Sequence, residues 1–222
     1  TTILSSVNDT SNNDNDVLYG GAGNDSLYGS TGDNTLDGGT GTDTIWSGTG
    51  SDTIVIRSGD GSTTLANADV LRDFSDGNDV IGMDSVSFDD LTIAQGTGDY
   101  ASHTLITLTS SGEYLLIVQN VTASNITAPD FTSTSTSSQS FTGDSSNNIF
   151  IGGAGNDTFS GSSGSDALYG HGGDDSFTVS GKSGSYTDVI DGGSGTDTLT
   201  ISYTGVTSLA DLTFSTDGDY IV

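Results

Sequence analysis

A chain of 222 residues with 30 acidic side chains, three basic ones and no cysteine carries a formal charge of −27. That balance excludes nucleic acid as a partner, because phosphate binding needs basic patches. No apolar run approaches the roughly eighteen residues of a membrane span, which excludes direct membrane insertion, and without cysteine the staple of a secreted protein has to be metal rather than disulfide.

The N-terminal TTILSSVNDT has neither a basic start nor a long apolar stretch, so no signal peptide is visible, and the lack of an initiator Met makes the chain read as a piece of something longer. Ser11 to Tyr19 (SNNDNDVLY) is a degraded copy of a nine-residue unit that keeps Asp16 and Leu18 in phase but has no glycine. Four full copies follow without a break from Gly20 to Val55: GGAGNDSLY, GSTGDNTLD, GGTGTDTIW and SGTGSDTIV. Asp69 to Met83 (DVLRDFSDGNDVIGM) departs from the unit, and Leu91 to Phe131 reads as strands separated by Gly- or Asp-rich turns, with Leu105 and Ile106 inside one of them. Such strands suit a lobe that caps a solenoid end, which otherwise invites edge pairing. Thr132 to Ser140 (TSTSTSSQS) is polar and low in complexity, and is expected to be a linker.

The unit then returns. Gly143 to Ile151 (GDSSNNIFI) is degraded, with Phe150 kept and Asn148 in place of Asp. GGAGNDTFS, GSSGSDALY and GHGGDDSFT run from Gly152 to Thr178, and GGSGTDTLT follows at Gly192 to Thr200. Between them VSGKSGSYTDVID breaks the register and carries Lys182; it is expected to bulge as a longer turn. The stretch after Thr200 reads as further capping strands. The boundaries that result are a first roll at 11–55, a closing lobe at 56–131, a linker at 132–140, a second roll at 141–200 and the start of a second cap at 201–222.

The unit is G-G-x-G-x-D-x-U-x, with U large and apolar, and repetition at a fixed period marks a solenoid. Glycine dominates the positions where a backbone must turn with φ > 0 and let carbonyls converge. These are Gly20, Gly29, Gly38, Gly152, Gly161, Gly170 and Gly192 at position one, then Gly21, Gly39, Gly48, Gly153 and Gly193 at position two. Position four holds Gly23, Gly32, Gly41, Gly50, Gly155, Gly164, Gly173 and Gly195, and Gly172 stands at position three of its unit. At position six Asp16, Asp25, Asp43, Asp52, Asp157, Asp166, Asp175 and Asp197 add carboxylate oxygens, a hard set of the kind Ca²⁺ prefers. Asn34 offers a neutral oxygen there, so its site is expected to be weak unless the adjacent Asp33 substitutes. Position eight, filled by Leu27, Leu36, Ile45, Ile54, Phe159, Leu168, Phe177 and Leu199, is expected to stack as a narrow core. Glu113 is the only Glu, and short Asp side chains suit tight turns better than a merely solvated surface requires. Asp60, Asp89, Asp90, Asp99, Asp217 and Asp219 lie outside the repeats and read as ordinary turn residues.

On these nonapeptides the chain resembles the RTX (hemolysin-type calcium-binding) family of secreted bacterial proteins. The resemblance implies an all-β fold: two calcium-binding parallel β-rolls, each followed by capping β-strands, with two nonapeptides to a coil. Turns eighteen residues apart then share ions, pairing Asp25 with Asp43, Asp52 with Asn34, Asp157 with Asp175 and Asp166 with Asn148. Asp69, Asp73 and Asp79 sit in a segment resembling the D-x-I-x-D-F-x-x-G-x-D-x-I stretch that closes such rolls; they either supply a last calcium site or shape and cap the end, where Phe74, Val80 and Ile81 would cover the stack. The family leaves the cell by type I secretion, so an extracellular or cell-surface location is implied.

No catalytic constellation is evident. His103 sits at a strand start and His171 at position two of a unit with its ring expected in water; neither H-E-x-x-H nor a G-x-S-x-G elbow occurs. The expected function is non-catalytic: a calcium-stabilised structural module of a large secreted or cell-surface protein, in a surface layer, filament or adhesin, with self-association. The alternative is the secretion and folding module of an exported enzyme such as a protease, lyase, epimerase or lipase. Carbohydrate is a further candidate partner, through Tyr19, Tyr28 and Trp46 at position nine.

Overall fold

A three-residue strand cannot satisfy its own backbone, so the short apolar pieces of this chain hold together only by stacking on copies of themselves. The computed structural model describes residues 15–180 and 188–202, and the backbone of 212–214; it divides the chain into two units, Thr1–Phe131 and Thr132–Val222. Among the described residues there is no α-helix, only strands and short 3-10 turns.

In the first unit β1 (Val17–Ala22), β3 (Thr35–Thr40), β5 (Thr53–Arg57) and β7 (Val80–Asp84) form one parallel sheet, which β11 (Phe131–Ser133) extends. Facing it, β2 (Ser26–Tyr28), β4 (Thr44–Trp46) and β6 (Asp69–Leu71) form the other. The register superposes Leu18, Leu36, Ile54 and Ile81 in one ladder and Leu27, Ile45 and Leu71 in the other. All of them are buried, so the core is a double file of single side chains lying between two sheets. Each such Leu or Ile contributes about 1.5–3 kcal/mol by leaving water.

The closing segment extends the stack as well as covering it. Ile81 continues the apolar ladder under Ile54, and Phe74 is buried as well, while Val80 on the alternate face is only half-buried. The expected capping strands are β8 (Leu91–Gln95), β9 (Thr104–Leu108) and β10 (Glu113–Val118). They form an antiparallel meander whose last strand pairs in parallel with β6, so the free edge of that sheet is occupied rather than left open. Glu113 ties this lobe down: its Oε1 accepts the Gly59 and Gly61 N–H groups at 2.8 and 2.9 Å.

The second unit repeats the plan with bulkier contents. β12 (Ser140–Thr142), β14 (Thr158–Ser160), β16 (Ser176–Ser180) and β18 (Thr198–Ser202) make one parallel sheet. β13 (Ile149–Ile151), β15 (Ala167–Tyr169), β17 (Asp188–Asp191) and β19 (Leu212–Phe214) make the other. Phe141, Phe159 and Phe177 stack face to face at 4.9 and 4.7 Å, and Leu199 follows in register. Lys182 and most of the bulge expected around it, Asp217 and Asp219 lie outside the described residues.

The expected Ser/Thr linker is instead part of the second roll. Ser133 N–H donates to Gly152 O at 2.8 Å, and Ser135 O accepts Ala154 N–H at 3.0 Å. Gln139 O accepts Thr158 N–H at 2.9 Å, and Gln139 N–H donates to Asp157 Oδ1 at 2.7 Å. The segment is a nonapeptide turn with Ser and Thr in place of glycine, Gln139 in the Asp position and Phe141 in the apolar one. Low complexity failed as a linker signal because Ser and Thr are good turn residues when a neighbouring coil supplies backbone partners.

Candidate metal centre

The turns between strands are stitched by their acidic side chains in two directions. At position six, one carboxylate oxygen accepts the backbone N–H of the equivalent residue one coil earlier. Asp25 N–H donates to Asp43 Oδ1 and Asp43 N–H to Asp69 Oδ1, both at 2.7 Å. On the opposite side of the roll Asp16 N–H reaches Asn34 Oδ1 at 3.0 Å, Asn34 N–H reaches Asp52 Oδ1 at 2.8 Å, and Asp52 N–H reaches Asp79 Oδ1 at 3.1 Å. The second roll has Asp157 on Asp175 at 2.6 Å, Asp175 on Asp197 at 2.8 Å, Asn148 on Asp166 at 3.0 Å and Asp166 on Asp188 at 2.9 Å. Every pair that the RTX resemblance implies is therefore brought together.

Position five runs the other way, a role that the consensus unit, which leaves that position open, does not mark. Asn15 Oδ1 accepts Asp33 N–H and Asp33 Oδ1 accepts Ser51 N–H, both at 2.8 Å. Asn24, Asn147, Asn156 and Asp174 do the same for Thr42, Ser165, Asp174 and Thr196 at 2.9–3.1 Å. This use of Asp33 overturns the idea that it replaces Asn34: it is exposed and serves the position-five ladder. The signal was an Asx residue at position five, recurring in register with Asp, Ser or Thr one coil on.

Glycine has two separate reasons to be in these turns. At position four Gly23, Gly32, Gly41, Gly50, Gly164, Gly173 and Gly195 have φ between +105° and +147°, and at position two Gly21, Gly39, Gly48 and Gly193 are also positive, joined by Ser30, Ser162 and His171. Position one is conformationally ordinary but crowded: a Cβ on Gly38, Gly161, Gly170 or Gly192 would strike the carboxylate of Asp43, Asp166, Asp175 or Asp197, and one on Gly20, Gly29 or Gly152 would strike a backbone carbonyl or the side chain of its own position-six residue. The turn Gly152–Asp157 departs from this pattern, since neither Gly153 nor Gly155 has positive φ and Gly153 N–H closes on Asp157 Oδ2 at 3.0 Å. Gly172 contributes backbone instead, donating to Gly153 O at 2.9 Å.

What remains after this bonding is a set of oxygens with nothing to bind. Asp25, Asp43, Asp52 and Asp175 are buried, and in each Oδ2 has no hydrogen-bond partner. Leaving a charged acceptor in this condition costs free energy. Burial accordingly pushes the carboxyls of Asp43 and Asp175 up to about 6, helped by the charges of Asp25 and of Asp157 and Asp197, and pushes Asp69 up to about 8. Asp52 and Asp79 are raised chiefly by burial as well, with the charges of Asp79 and Asp73 adding to the effect at Asp52 and that of Asp73 adding to it at Asp79. Backbone carbonyls crowd the same turns: a Cβ on Gly39, Gly41, Gly48 or Gly50 would overlap the carbonyl of Gly21, Gly23, Ser30 or Gly32 one coil earlier. Unpartnered carboxylate oxygens beside converging carbonyls fit a hard, oxygen-seeking cation such as Ca²⁺. Among the described residues no three His, Cys, Asp or Glu side chains cluster as a conventional metal site; one carboxylate per turn with carbonyls around it is a different ligand plan.

Asp69, Asp73 and Asp79 do not form one last site. Asp69 closes the column of Asp25 and Asp43, whereas Asp79 closes that of Asn34 and Asp52. Asp73 joins Asp79 through Ser47, accepting its N–H at 2.8 Å while Ser47 Oγ meets Asp73 Oδ1 and Asp79 Oδ2 at 3.1 Å. The separation arises because the chain crosses between the two sheets from β6 to β7 within this segment. Asp188 and Gln139, both missed by phase counting, extend the columns of the second roll.

A family model described as the RTX calcium-binding nonapeptide repeat, in four copies, matches residues 10–45, 19–54, 28–62, 142–177 and 182–200. The chain carries RTX calcium-binding repeats. Among solved structures, this RTX chain is similar to the AlgE6R2 subunit of the Azotobacter vinelandii mannuronan C5-epimerase, with 23% identity, 54% of this chain and 86% of that chain covered, and a TM-score of 0.40. It is similar also to the AlgE6R3 subunit of that enzyme, with 21% identity, 55% and 81% covered, and a TM-score of 0.35. Among curated proteins none matches.

Several residues outside the RTX columns have other roles. Asp60, expected as a plain turn residue, pairs with Arg57 at 2.8 Å; the same guanidinium holds Asp37 at 2.7 Å and Asp84 at 2.9 Å. Trp46 stacks on Tyr28 at 4.5 Å with Arg72 5.9 Å over its ring, so it is integrated into the roll's surface rather than isolated, while Tyr19 is exposed. His171 is half-buried at φ +69°, not in water as expected. His103 Nδ1 accepts Asn120 N–H at 3.1 Å.

Proposed function

We propose that this chain is a calcium-stabilised structural module of a large secreted or cell-surface bacterial protein, serving in a surface layer, filament or adhesin. The observation that carries the reading is the set of buried, unpartnered Oδ2 atoms at Asp25, Asp43, Asp52 and Asp175 in register along the roll turns. Those carboxylates, with Asp69, Asp79, Asp157, Asp166, Asp188 and Asp197 in the same columns and the glycine carbonyls of the turns, are the groups that would hold Ca²⁺. The bound cation would neutralise adjacent carboxylates and turn metal-binding free energy into folding free energy. Two consecutive rolls favour a building block over a single export tag, and loss of self-repulsion on calcium binding favours self-association outside the cell.

The test is circular dichroism of the full chain in chelator, in millimolar Ca²⁺ and in millimolar Mg²⁺. A β signal that needs Ca²⁺, and that Mg²⁺ restores poorly, is expected. A chelated, metal-free sample with its full β signal would overturn the reading.

A further inference from the structure

The position-six column that includes Asn34 is built differently from its siblings. At Asp43, Asp52, Asp166, Asp175 and Asp197 Oδ1 accepts a backbone N–H from one coil earlier, and Asn34 does so too: its Oδ1 accepts Asp16 N–H at 3.0 Å, as Asp43 Oδ1 accepts Asp25 N–H at 2.7 Å. The second atom distinguishes them. In Asp25, Asp43 and Asp52 it is an oxygen with no hydrogen-bond partner. In Asn34 it is Nδ2, which donates to Gly32 O and to Asp52 Oδ1, both at 2.9 Å.

The two atoms occupy the same place in their turns. A Cβ on Gly29 would lie 3.0 Å from Asn34 Nδ2, and one on Gly20 would lie 3.1 Å from Asp25 Oδ2. The orientation of the amide is dictated by its surroundings. One end meets a backbone N–H, and the other meets a carbonyl oxygen and a carboxylate oxygen; the reverse orientation would oppose donor to donor and acceptor to acceptor. Asn34 is buried, so these bonds form away from competing water.

We infer that Asn34 is an internal stand-in for a calcium ion: its amide hydrogens supply to Gly32 O and Asp52 the electropositive partner that a cation supplies to the all-carboxylate turns. This inference rests on the calcium reading above and deepens it. The turn at Asn34 is closed without metal, so it takes up no ion of its own, and the two sides of the first roll differ in kind. The side of Asp25, Asp43 and Asp69 depends on calcium throughout. The side of Asp16, Asn34 and Asp52 has a metal-free clasp at its middle, and its demand for calcium begins at Asp52 and Asp79, where the Oδ2 of Asp52 is again unpartnered. A clasp of this kind gives the coils a seam that pairs in register before calcium arrives.

Two variants of the full chain test it: Asn34→Asp and Asn34→Ala. Bound Ca²⁺ is counted by native mass spectrometry at saturation, and the β signal is titrated against buffered free Ca²⁺. Asn34→Asp is expected to bind one more ion than the parent and to need several-fold more Ca²⁺ to reach half its β signal, since it opens a site and adds a buried charge. Asn34→Ala is expected to keep the parent's ion count while also needing more Ca²⁺, because the clasp is lost. An Asn34→Asp protein that folds with no extra ion overturns the inference, and so does an Asn34→Ala protein that folds with one ion fewer, which would make the amide oxygen a ligand. A parent that binds no Ca²⁺ at all refutes the calcium reading itself, a distinguishable failure. If one variant does not fold at any Ca²⁺ concentration, the count for the other decides.

Discussion

Asp43 stands at the middle of the all-carboxylate column, and replacing it separates its roles as acceptor and as ligand. Its Oδ1 accepts Asp25 N–H at 2.7 Å, its own N–H donates to Asp69 Oδ1 at 2.7 Å, and its Oδ2 is unpartnered and buried. Asp43→Ala strands the buried Asp25 N–H and removes one carboxylate from the gaps on both sides. The lost hydrogen bond to a charged group alone is worth about 1.5–3 kcal/mol. If about four ions bind in one cooperative folding transition, that loss raises the calcium midpoint roughly two- to four-fold by linkage, and the missing ligand raises it further. Asp43→Asn keeps the acceptor and supplies amide hydrogens in the manner of Asn34; it should lose an ion while its β signal half-forms at a lower Ca²⁺ concentration than that of Asp43→Ala. Asp99→Ala, at an exposed site on a 3-10 turn outside the repeats, is the control and should match the parent. Circular dichroism against buffered free Ca²⁺ gives all the midpoints. Equal midpoints for Asp43→Ala and Asp99→Ala would refute the assignment of ligands by column.

The raised carboxyls of Asp69, Asp43 and Asp175 mean that, without metal, the folded chain holds protons more tightly than the unfolded one, whose Asp residues titrate near ~3.9. Stability of the calcium-free fold should therefore grow as pH falls from about 8 through about 6 and level off below the unfolded value, while the calcium midpoint rises; a chelated sample whose β signal does not increase between pH 8 and 4.5 would contradict this. Gly41→Ala combines φ +147° with overlap onto Gly23 O, so it should destabilise the loaded fold more than Gly77→Ala, which has positive φ but open space, as read by thermal melts. Arg57→Met leaves Asp37, Asp60 and Asp84 facing one another and should cost roughly 1–3 kcal/mol in urea unfolding at saturating Ca²⁺, with no change in ion count. Light scattering should show monomers in chelator and larger assemblies in millimolar Ca²⁺; a loaded, folded sample that remains monomeric at high protein concentration would favour the export-module alternative.

The parts of this molecule that were legible in the sequence are those with a strict period and a single job. Position eight buries one apolar side chain per strand, so Leu27, Ile45 and Phe177 could be placed in the core on spacing alone. The eighteen-residue pairing of Asp25 with Asp43 and of Asp157 with Asp175 followed from the family's coil of two units. Phase counting lost its hold where the chain changed length between coils. Asp188 fell out of step inside the inserted stretch although it keeps the local D-x-U-x-G-G order, and Asp69 and Asp79 looked like neighbours in one segment although the chain crosses between the sheets between them. Composition misled at Thr132 to Ser140, where backbone partners offered by the next coil outweigh an absence of glycine and Asp.

The two ladders explain why the acids of the turns are divided as they are. Position five accepts N–H groups from the coil after it and position six from the coil before it, so each turn is tied to both neighbours before any metal is considered. Position five is exposed and equally well served by Asn15, Asn24 or Asp33, because only one neutral acceptor is needed there. Position six is buried at Asp25, Asp43, Asp52 and Asp175, and after its first oxygen is satisfied an Asp there still has a second one to place. Water cannot reach it and no protein donor does so at Asp25, Asp43, Asp52 or Asp175. At those four residues the Asp is destabilising unless a cation arrives, whereas Asn34 at the same place is complete by itself. On the calcium reading proposed above, the choice between Asp and Asn34 at position six of the first roll marks where that roll depends on calcium and where it does not.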